Sequence, residues 1–392
     1  MSEWRHCKLG DVLTLKRGYD LPTKKRVSGE YPIVSSNGVS GFHNEFKVKG
    51  PGVTTGRSGT LGNAFYVTSD FWPLNTSLYV EDFKGNNPRF IYYFLNNLGL
   101  EKYNAGSGVP TLNRNHVHPI EIKFPSINIQ NKISNILGSL DDKIDLNLRM
   151  NETLEQMANA LYKHWFIDFG PFQDEDFIES ELGKIPAGWE VKNLKDIANI
   201  LMGQSPKSEF YNQNGEGLPF HQGVANFGIK YPTNTIFSTK LLRIAEEGDF
   251  LISVRAPVGR LNVAHTRMVI GRGLSAISSK TNNSSFLFYT LKVLFSEEDK
   301  YGSGTIFNSI NKGELENLKV LVPHGKTIDE YESKVSIYDR LIKRNHEQML
   351  LLEDTRNYLL PRLLSGEVDV SEGAEKVKEV ISNEQPKPSV RV

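Results

Sequence analysis

The sequence predicts an α+β protein of mixed strand and helix. Two homologous globules are each followed by a long helix, and the helices pair as an antiparallel coiled coil with pseudo two-fold symmetry. Three observations carry this. The opening segment WRHCKLGDVLTLKRG, from Trp4, returns as WEVKNLKDIANILMG from Trp189, with Trp4/Trp189, Leu9/Leu194, Asp11/Asp196 and Gly18/Gly203 all offset by 185. Each copy then reaches a strand-like apolar run ending in proline, IEIKFP at Pro125 and LKVLVP at Pro323, now offset by 198. After each proline, strand-like alternation gives way to a heptad. The drift in offset places insertions in loops, where added length costs little.

In chain order, residues 1–125 form the first globule, in which YNAGSG from Tyr103 resembles YGSG from Tyr301 in the second. Residues 126–168 form the first long helix: Ile133, Leu137, Leu140 and Ile144, continuing to Leu161 and Trp165, keep strict 4,3 spacing. Residues 169–182 are a linker and 183–323 the second globule. Residues 324–368 form the second long helix, where Tyr331, Val335, Tyr338 and Ile342, continuing to Leu359 and Leu363, repeat the seam 198 positions on. A helix of about 40 residues is about 60 Å long, and the 3.5-residue period is the coiled-coil signature. The first helix carries the chain from one globule to the other and the second points back, which makes the pairing antiparallel. Asn147 and Asn345 hold the same seam place. A polar seam residue penalises misregistered pairings, so both are expected to fix register, the alternative being solvent-facing asparagines at a frayed seam. Pro361 is expected to kink or end the second helix. Residues 369–392 read as a charged, disordered tail.

The chain of 392 residues carries 46 basic and 46 acidic residues, a neutral sum that hides a regional pattern. Basic residues outnumber acidic ones by 15 to 10 in residues 1–125 and by 16 to 12 in 183–323; acidic residues lead by 11 to 4 in 126–182 and by 13 to 11 in 324–392. Basic globules on acidic spacers suit two separated contacts with nucleic acid. Cys7 is the only cysteine, which excludes an internal disulfide. No apolar run approaches the roughly 18 residues of a membrane span, and the N-terminus lacks the layout of a secretory signal, so a cytoplasmic location is expected.

Catalytic signatures are missing. Gly325-Lys326-Thr327 lacks the upstream glycine of a phosphate-binding loop, since position 320 is valine. GRGLSA from Gly271 meets G-x-G-x-x-A, but a strand-like AIS follows where a dinucleotide site needs a helix. No G-x-S-x-G, H-E-x-x-H, C-x-x-C or [DN]-P-P-[FY] pattern occurs. His116 and His118 read as structural or surface histidines, and Glu121 with Lys123 lacks the upstream partner of a nuclease motif.

The loops of both globules do carry groups that read DNA. In the first these are Lys24, Lys25, Arg26, Ser36, Asn37, Arg57, Ser58, Asn113 and Arg114; in the second, Gln204, Ser205, His221, Gln222, Arg255 and Arg272. Arginine can donate twice to guanine, asparagine and glutamine can pair with adenine, and lysine or serine can hold phosphates. Each also has a plain reading as a solvated loop residue. Lys24–Arg26 favour phosphate over base contact. Arg57 and Arg255 lie in analogous glycine-containing loops, TTGRSGTLG and SVRAPVG, allowing a one-residue slip.

With these features in place, the chain resembles the specificity (S) subunits of type I restriction-modification systems over residues 1 to about 368. The most specific stretches are ILGSLDDKIDLNLRMNETLEQMANALYKHWFIDFGPF, LLEDTRNYLLPRLLSGEV and MGQSPKSEFYN, and SVRAPVG and KYGSGTIFNSINKGELENLKVLVP also resemble such recognition domains. The resemblance implies two α/β target recognition domains, each reading half of a bipartite double-stranded DNA target, and a helical ruler setting the spacer between half-sites. It further implies one copy of this chain with two adenine-N6 methyltransferase (M) subunits and two restriction (R) subunits. S-adenosylmethionine, ATP and Mg2+ would sit on those partners, with no cofactor, metal or catalytic residue here. The alternative is a scaffold or inactive specificity subunit that binds M subunits without reading sequence.

Overall fold

The computed structural model describes residues 4–295 and 309–382. The chain divides into two compact units, Met1–Asn147 with Glu347–Val392, and Leu148–His346. Each takes half of two long helices, Ile127–Phe166 and Gly325–Ser365.

In unit 1 the strand Trp4–Lys8 pairs antiparallel with Glu121–Pro125, so the two landmarks of the repeat close the globule. A short helix, Leu9–Val12, follows; the Lys8 backbone N–H donates to Asp11 Oδ2 at 2.9 Å, satisfying a donor at the helix start. A four-stranded antiparallel sheet runs Thr14–Arg17, Ser77–Asp82, Gly52–Gly56, Ala64–Val67. Beside it, Tyr31–Ser35 pairs antiparallel with Gly38–His43 and parallel with Trp72–Pro73. The helix Pro88–Asn97 starts on Asn87, whose Oδ1 accepts from Phe90 N–H at 3.0 Å. Its Phe90, Ile91, Phe94 and Leu95 enter a core shared with Leu137 and Leu140 of the first long helix and Leu359 and Leu363 of the second.

Unit 2 repeats the plan. Glu190–Asn193 pairs antiparallel with Lys319–Val322, and Asn193 N–H donates to Asp196 Oδ2 at 3.0 Å, matching Lys8 and Asp11. The four-stranded order is Ala198–Met202, Leu274–Ser279, Phe250–Ser253, Leu261–Val263. Leu218–His221 pairs parallel with Met268–Ile270, as Tyr31–Ser35 does with Trp72–Pro73. The aromatic core joins Tyr162, Trp165 and Phe166 of the first long helix to Phe286, Tyr289 and Tyr331. The repeated glycines have one cause. A Cβ at Gly18 would fall 2.2 Å from Leu74 O, and at Gly203 2.1 Å from Gly271 O, so neither strand could pass its turn with a larger residue.

Within each unit the helix halves run antiparallel. In unit 1, Asp141 meets Arg356 at 2.9 Å and Asn147 donates to Gln348 Oε1; in unit 2, Asn345 donates to Asn151 Oδ1 at 2.9 Å and Tyr331 to Ala158 O at 3.4 Å. Asn147 and Asn345 are both buried at the seam, with unlike partners.

Two expectations are corrected. Pro361 does not end the second helix, which continues to Ser365. It lies in a stretch fixed by buried Leu359, Leu363 and Leu364, whose burial outweighs the lost hydrogen bond. The tail is helical over Val370–Ser382. Val370, Val377, Val380 and Ile381 form an apolar stripe packed on the unit 1 core, an amphipathic pattern that a charge count conceals.

Candidate nucleic-acid interface

In each unit the recurring backbone builds one corner. In unit 1, Tyr19 N–H donates to Pro73 O at 2.8 Å, Leu74 N–H to Val34 O at 2.8 Å and Ser77 N–H to Leu74 O at 2.9 Å. In unit 2, Gln204 N–H donates to Ile270 O at 2.9 Å, Gly271 N–H to His221 O at 2.8 Å and Leu274 N–H to Gly271 O at 2.9 Å. Asp20 therefore matches Ser205, Ser35 matches Gln222, and Asn75 matches Arg272. The backbone is common and the side chains it presents differ.

The unit 2 corner brings four expected residues together. Ser205 Oγ donates to Gln222 Oε1 at 2.7 Å and accepts from Arg272 N–H at 3.1 Å, with Gln204 adjoining. Gln204, Gln222 and Arg272 are exposed. Arg255 is exposed on a neighbouring loop, where it bridges to Ser309. His221 is corrected: it is 2% exposed, its Nε2 is 2.9 Å from Asn234 Oδ1, and burial lowers its pKa. As the last residue of a buried strand it supports the corner and presents no side chain at the surface.

In unit 1, Arg57, Asn113 and Arg114 line one cleft with Lys16, Arg17 and Thr111. Arg57 Nη1 donates to Asn75 O at 3.2 Å, and Ser58 bridges to Thr111. Ser36 lies beside this loop, since a Cβ at Gly56 would fall 3.3 Å from its carbonyl oxygen. Asn37 is exposed in the same turn. Lys24 and Lys25 are exposed on the turn Thr23–Lys25, outside the cleft lining, and Arg26 Nε donates to Leu21 O at 3.5 Å.

The one-residue slip between Arg57 and Arg255 is explicit in the hydrogen bonding. Leu112 N–H donates to Arg57 O at 2.8 Å, whereas Ile310 N–H donates to Val254 O at 3.0 Å. Arg57 thus matches Val254, and Arg255 matches Ser58. The motif YGSG from Tyr301 lies outside the described residues.

Sequence reasoning missed Lys16, Arg17, Asp20 and Asn75. Lys16 pairs with Glu81 at 2.5 Å and Arg17 with Asp20 at 3.8 Å. Adjacent basic residues at the end of the strand Thr14–Arg17, just before Gly18, were the available signal. His118 serves the fold: its Nε2 accepts from Leu15 N–H at 3.0 Å, and burial lowers its pKa. Among the described residues no group of three or more His, Cys, Asp or Glu side chains is arranged to hold a metal ion, and no helix is long and apolar enough to cross a membrane.

A duplicated α+β globule set on paired long helices, each copy carrying a polar loop corner on a common backbone, defines a protein of two matched surface-presenting modules. The family model of the type I restriction modification DNA specificity domain matches residues 1–156 and 186–350. The chain belongs to this family and is a specificity subunit of a type I restriction-modification system with DNA specificity domains. It is 32% identical to a putative type I restriction enzyme MjaX specificity subunit from Methanocaldococcus jannaschii, over 72% of this chain and 68% of that one. The type I restriction enzyme HindI specificity subunit of Haemophilus influenzae is 24% identical over 94% of this chain and 100% of its own length. The crystal structure of a type I restriction-modification S subunit from M. genitalium shares the fold, with a TM-score of 0.61 at 18% identity over 92% of this chain and 96% of that one.

Proposed function

We propose that each unit reads one half of a bipartite, asymmetric DNA target, that the long helices set the spacer between half-sites, and that methyltransferase subunits dock along those helices and nearby surfaces. The carrying observation is the doubled corner: the same backbone hydrogen bonds present Asp20, Ser35 and Asn75 in one unit and Ser205, Gln222 and Arg272 in the other. One scaffold with two side-chain sets is what two different half-sites require. Lys24, Lys25, Arg26, Lys16, Arg17 and Arg114 are assigned to phosphates, and Arg57, Asn113, Gln222, Arg255 and Arg272 to base edges. Asn147 and Asn345 are assigned to helix register. The chain acts without catalysis in the cytoplasm, one copy serving two M subunits and, in the restricting complex, two R subunits. S-adenosylmethionine, ATP and Mg2+ belong to those partners.

The test is to co-express the chain with the methyltransferase encoded beside it and map N6-methyladenine across a genome. The expected result is a split motif with one methylated adenine in each half, on opposite strands. A stable complex that leaves no sequence-defined methylation, or a contiguous motif, would overturn the reading.

A further inference from the structure

Asn75 is held at nearly every polar atom. Its backbone N–H donates to Tyr19 O at 3.0 Å and its carbonyl accepts from Arg57 Nη1 at 3.2 Å. Its Nδ2 donates to Asp20 Oδ1, and Arg17 lies 3.8 Å from the same carboxylate oxygen. An ionised carboxylate accepts and cannot donate, so the amide has one orientation: nitrogen toward Asp20, oxygen away. Oδ1 has no partner among the described residues and is not buried, and the residue is half-buried beside Arg57. A fixed, unengaged acceptor at a loop corner is built to receive a donor.

We propose that Asn75 is a specificity-determining residue of unit 1, its Oδ1 accepting from an exocyclic amino group of a base, adenine N6 or cytosine N4, with Asp20 as its positioning residue. In the major groove those amino groups are the donors, while guanine O6 and thymine O4 stand as acceptors and would face Oδ1 unpaired. An asparagine free to use both amide atoms pairs bidentately with adenine. Here Asp20 holds one of the two amide N–H groups and so fixes the outward face of Oδ1, and the corner distinguishes amino from keto bases. The matching corner of unit 2 reverses the polarity, since Arg272 brings only donors to the place of Asn75. This inference rests on the DNA-reading role proposed above.

The test uses the full chain in complex with its methyltransferase and selects bound duplexes from a randomised library, for the wild type, Asn75→Ala and Asp20→Asn. One position of one half-site is expected to hold only adenine or cytosine in the wild type. Asn75→Ala should admit all four bases there, with discrimination falling roughly 5- to 150-fold and the other half-site untouched. Asp20→Asn removes no backbone contact and frees the amide to turn, so keto bases should enter at that same position. A merely structural role would lower affinity for every sequence without moving one base preference. An unchanged wild-type motif in both variants, or a uniform loss of affinity, overturns the assignment. If Asn75→Ala does not fold, Asp20→Asn decides alone. A wild-type complex that selects no motif overturns instead the reading on which the inference rests.

Discussion

The hydroxyl of Tyr93 donates to the carboxylate of Asp141 at 2.5 Å, tying the helix Pro88–Asn97 of unit 1 to the first long helix. The contact recurs in unit 2. Tyr289 donates to Asp339 at 3.3 Å in unit 2, at offsets of 196 and 198 from Tyr93 and Asp141. The cations differ: Arg356 meets Asp141 at 2.9 Å from the second long helix, whereas Lys230 meets Asp339 at 2.6 Å from a globule loop. Burial, together with the carboxylate charge, pushes both tyrosine hydroxyls well above their ordinary pKa, so they remain donors.

Tyr93→Phe removes one bond to a charged acceptor while leaving the ring in place. It is expected to destabilise unit 1 by about 1–3 kcal/mol. A urea titration followed by a probe in unit 1 checks this; an unchanged midpoint would mean that Arg356 alone satisfies Asp141.

The Asn345–Asn151 pair gives a second expectation. Replacing either asparagine by leucine strands the other in a buried seam, at a cost of about 1–3 kcal/mol. Replacing both should recover most of that loss or exceed it, while weakening the preference for one register. A double-mutant cycle measures the coupling, and independent additive losses would contradict a shared bond.

Acid should weaken unit 2. Asn234 lies between His221 and His265, at 2.9 and 3.1 Å, and His346 stacks on Tyr231 with centroids 4.5 Å apart and stands 5.5 Å from His265. Burial lowers all three histidine pKa values, that of His346 to about 4, with neighbouring histidines adding repulsion at His265 and His346. Glu247, which opposes the shift at His265, is itself paired with Lys343. The folded unit holds these rings neutral while the unfolded chain protonates near pH 6.5. Their contribution is therefore complete above that value and is lost as pH falls from about 6.5 toward 4. Denaturation midpoints between pH 7.5 and 5 should follow this slope, and His346→Phe, which keeps the stack, should flatten it.

Arg255 offers the cleanest mutation at the interface, since its side chain is exposed and its pairing with Ser309 is through the backbone. Arg255→Ala should weaken binding of the target duplex by about 1–3 kcal/mol if the guanidinium reads a guanine, and relax one position of the site. Loss spread evenly over all sequences, with a shallower salt dependence, would assign it to phosphate. Arg57→Ala should do more than remove a contact, because Arg57 also holds the carbonyl of Asn75.

What the sequence made legible was whatever repeats. Matching tryptophans, glycines and capping aspartates announced two copies of one globule, and the heptads announced the helices, because burial imposes a period that needs no partner to be seen. The short strands were less legible: Trp72–Pro73 and Leu218–His221 are ordered by neighbours distant in the chain. Asn75 and Asp20 were invisible for a related reason. Their roles come from a hydrogen bond spanning 55 residues, and nothing local marks either as more than a turn residue. His221 was misread in the opposite sense, since a histidine beside a glutamine looks like an interface until strand pairing turns its ring inward.

Unit 1 joins the first 147 residues to the last stretch of the chain, whereas unit 2 is one continuous run from 148 to 346. During synthesis the ribosome releases the first globule long before Leu352, Leu359, Leu363 and Val377, which complete its core, exist. Unit 2 has all its parts by the time His346 emerges. The half of the protein made first is therefore the half finished last. Until then its long helix holds a bare apolar stripe in a crowded cell, the stage at which newly made chains of this design are most exposed to aggregation and to chaperone capture.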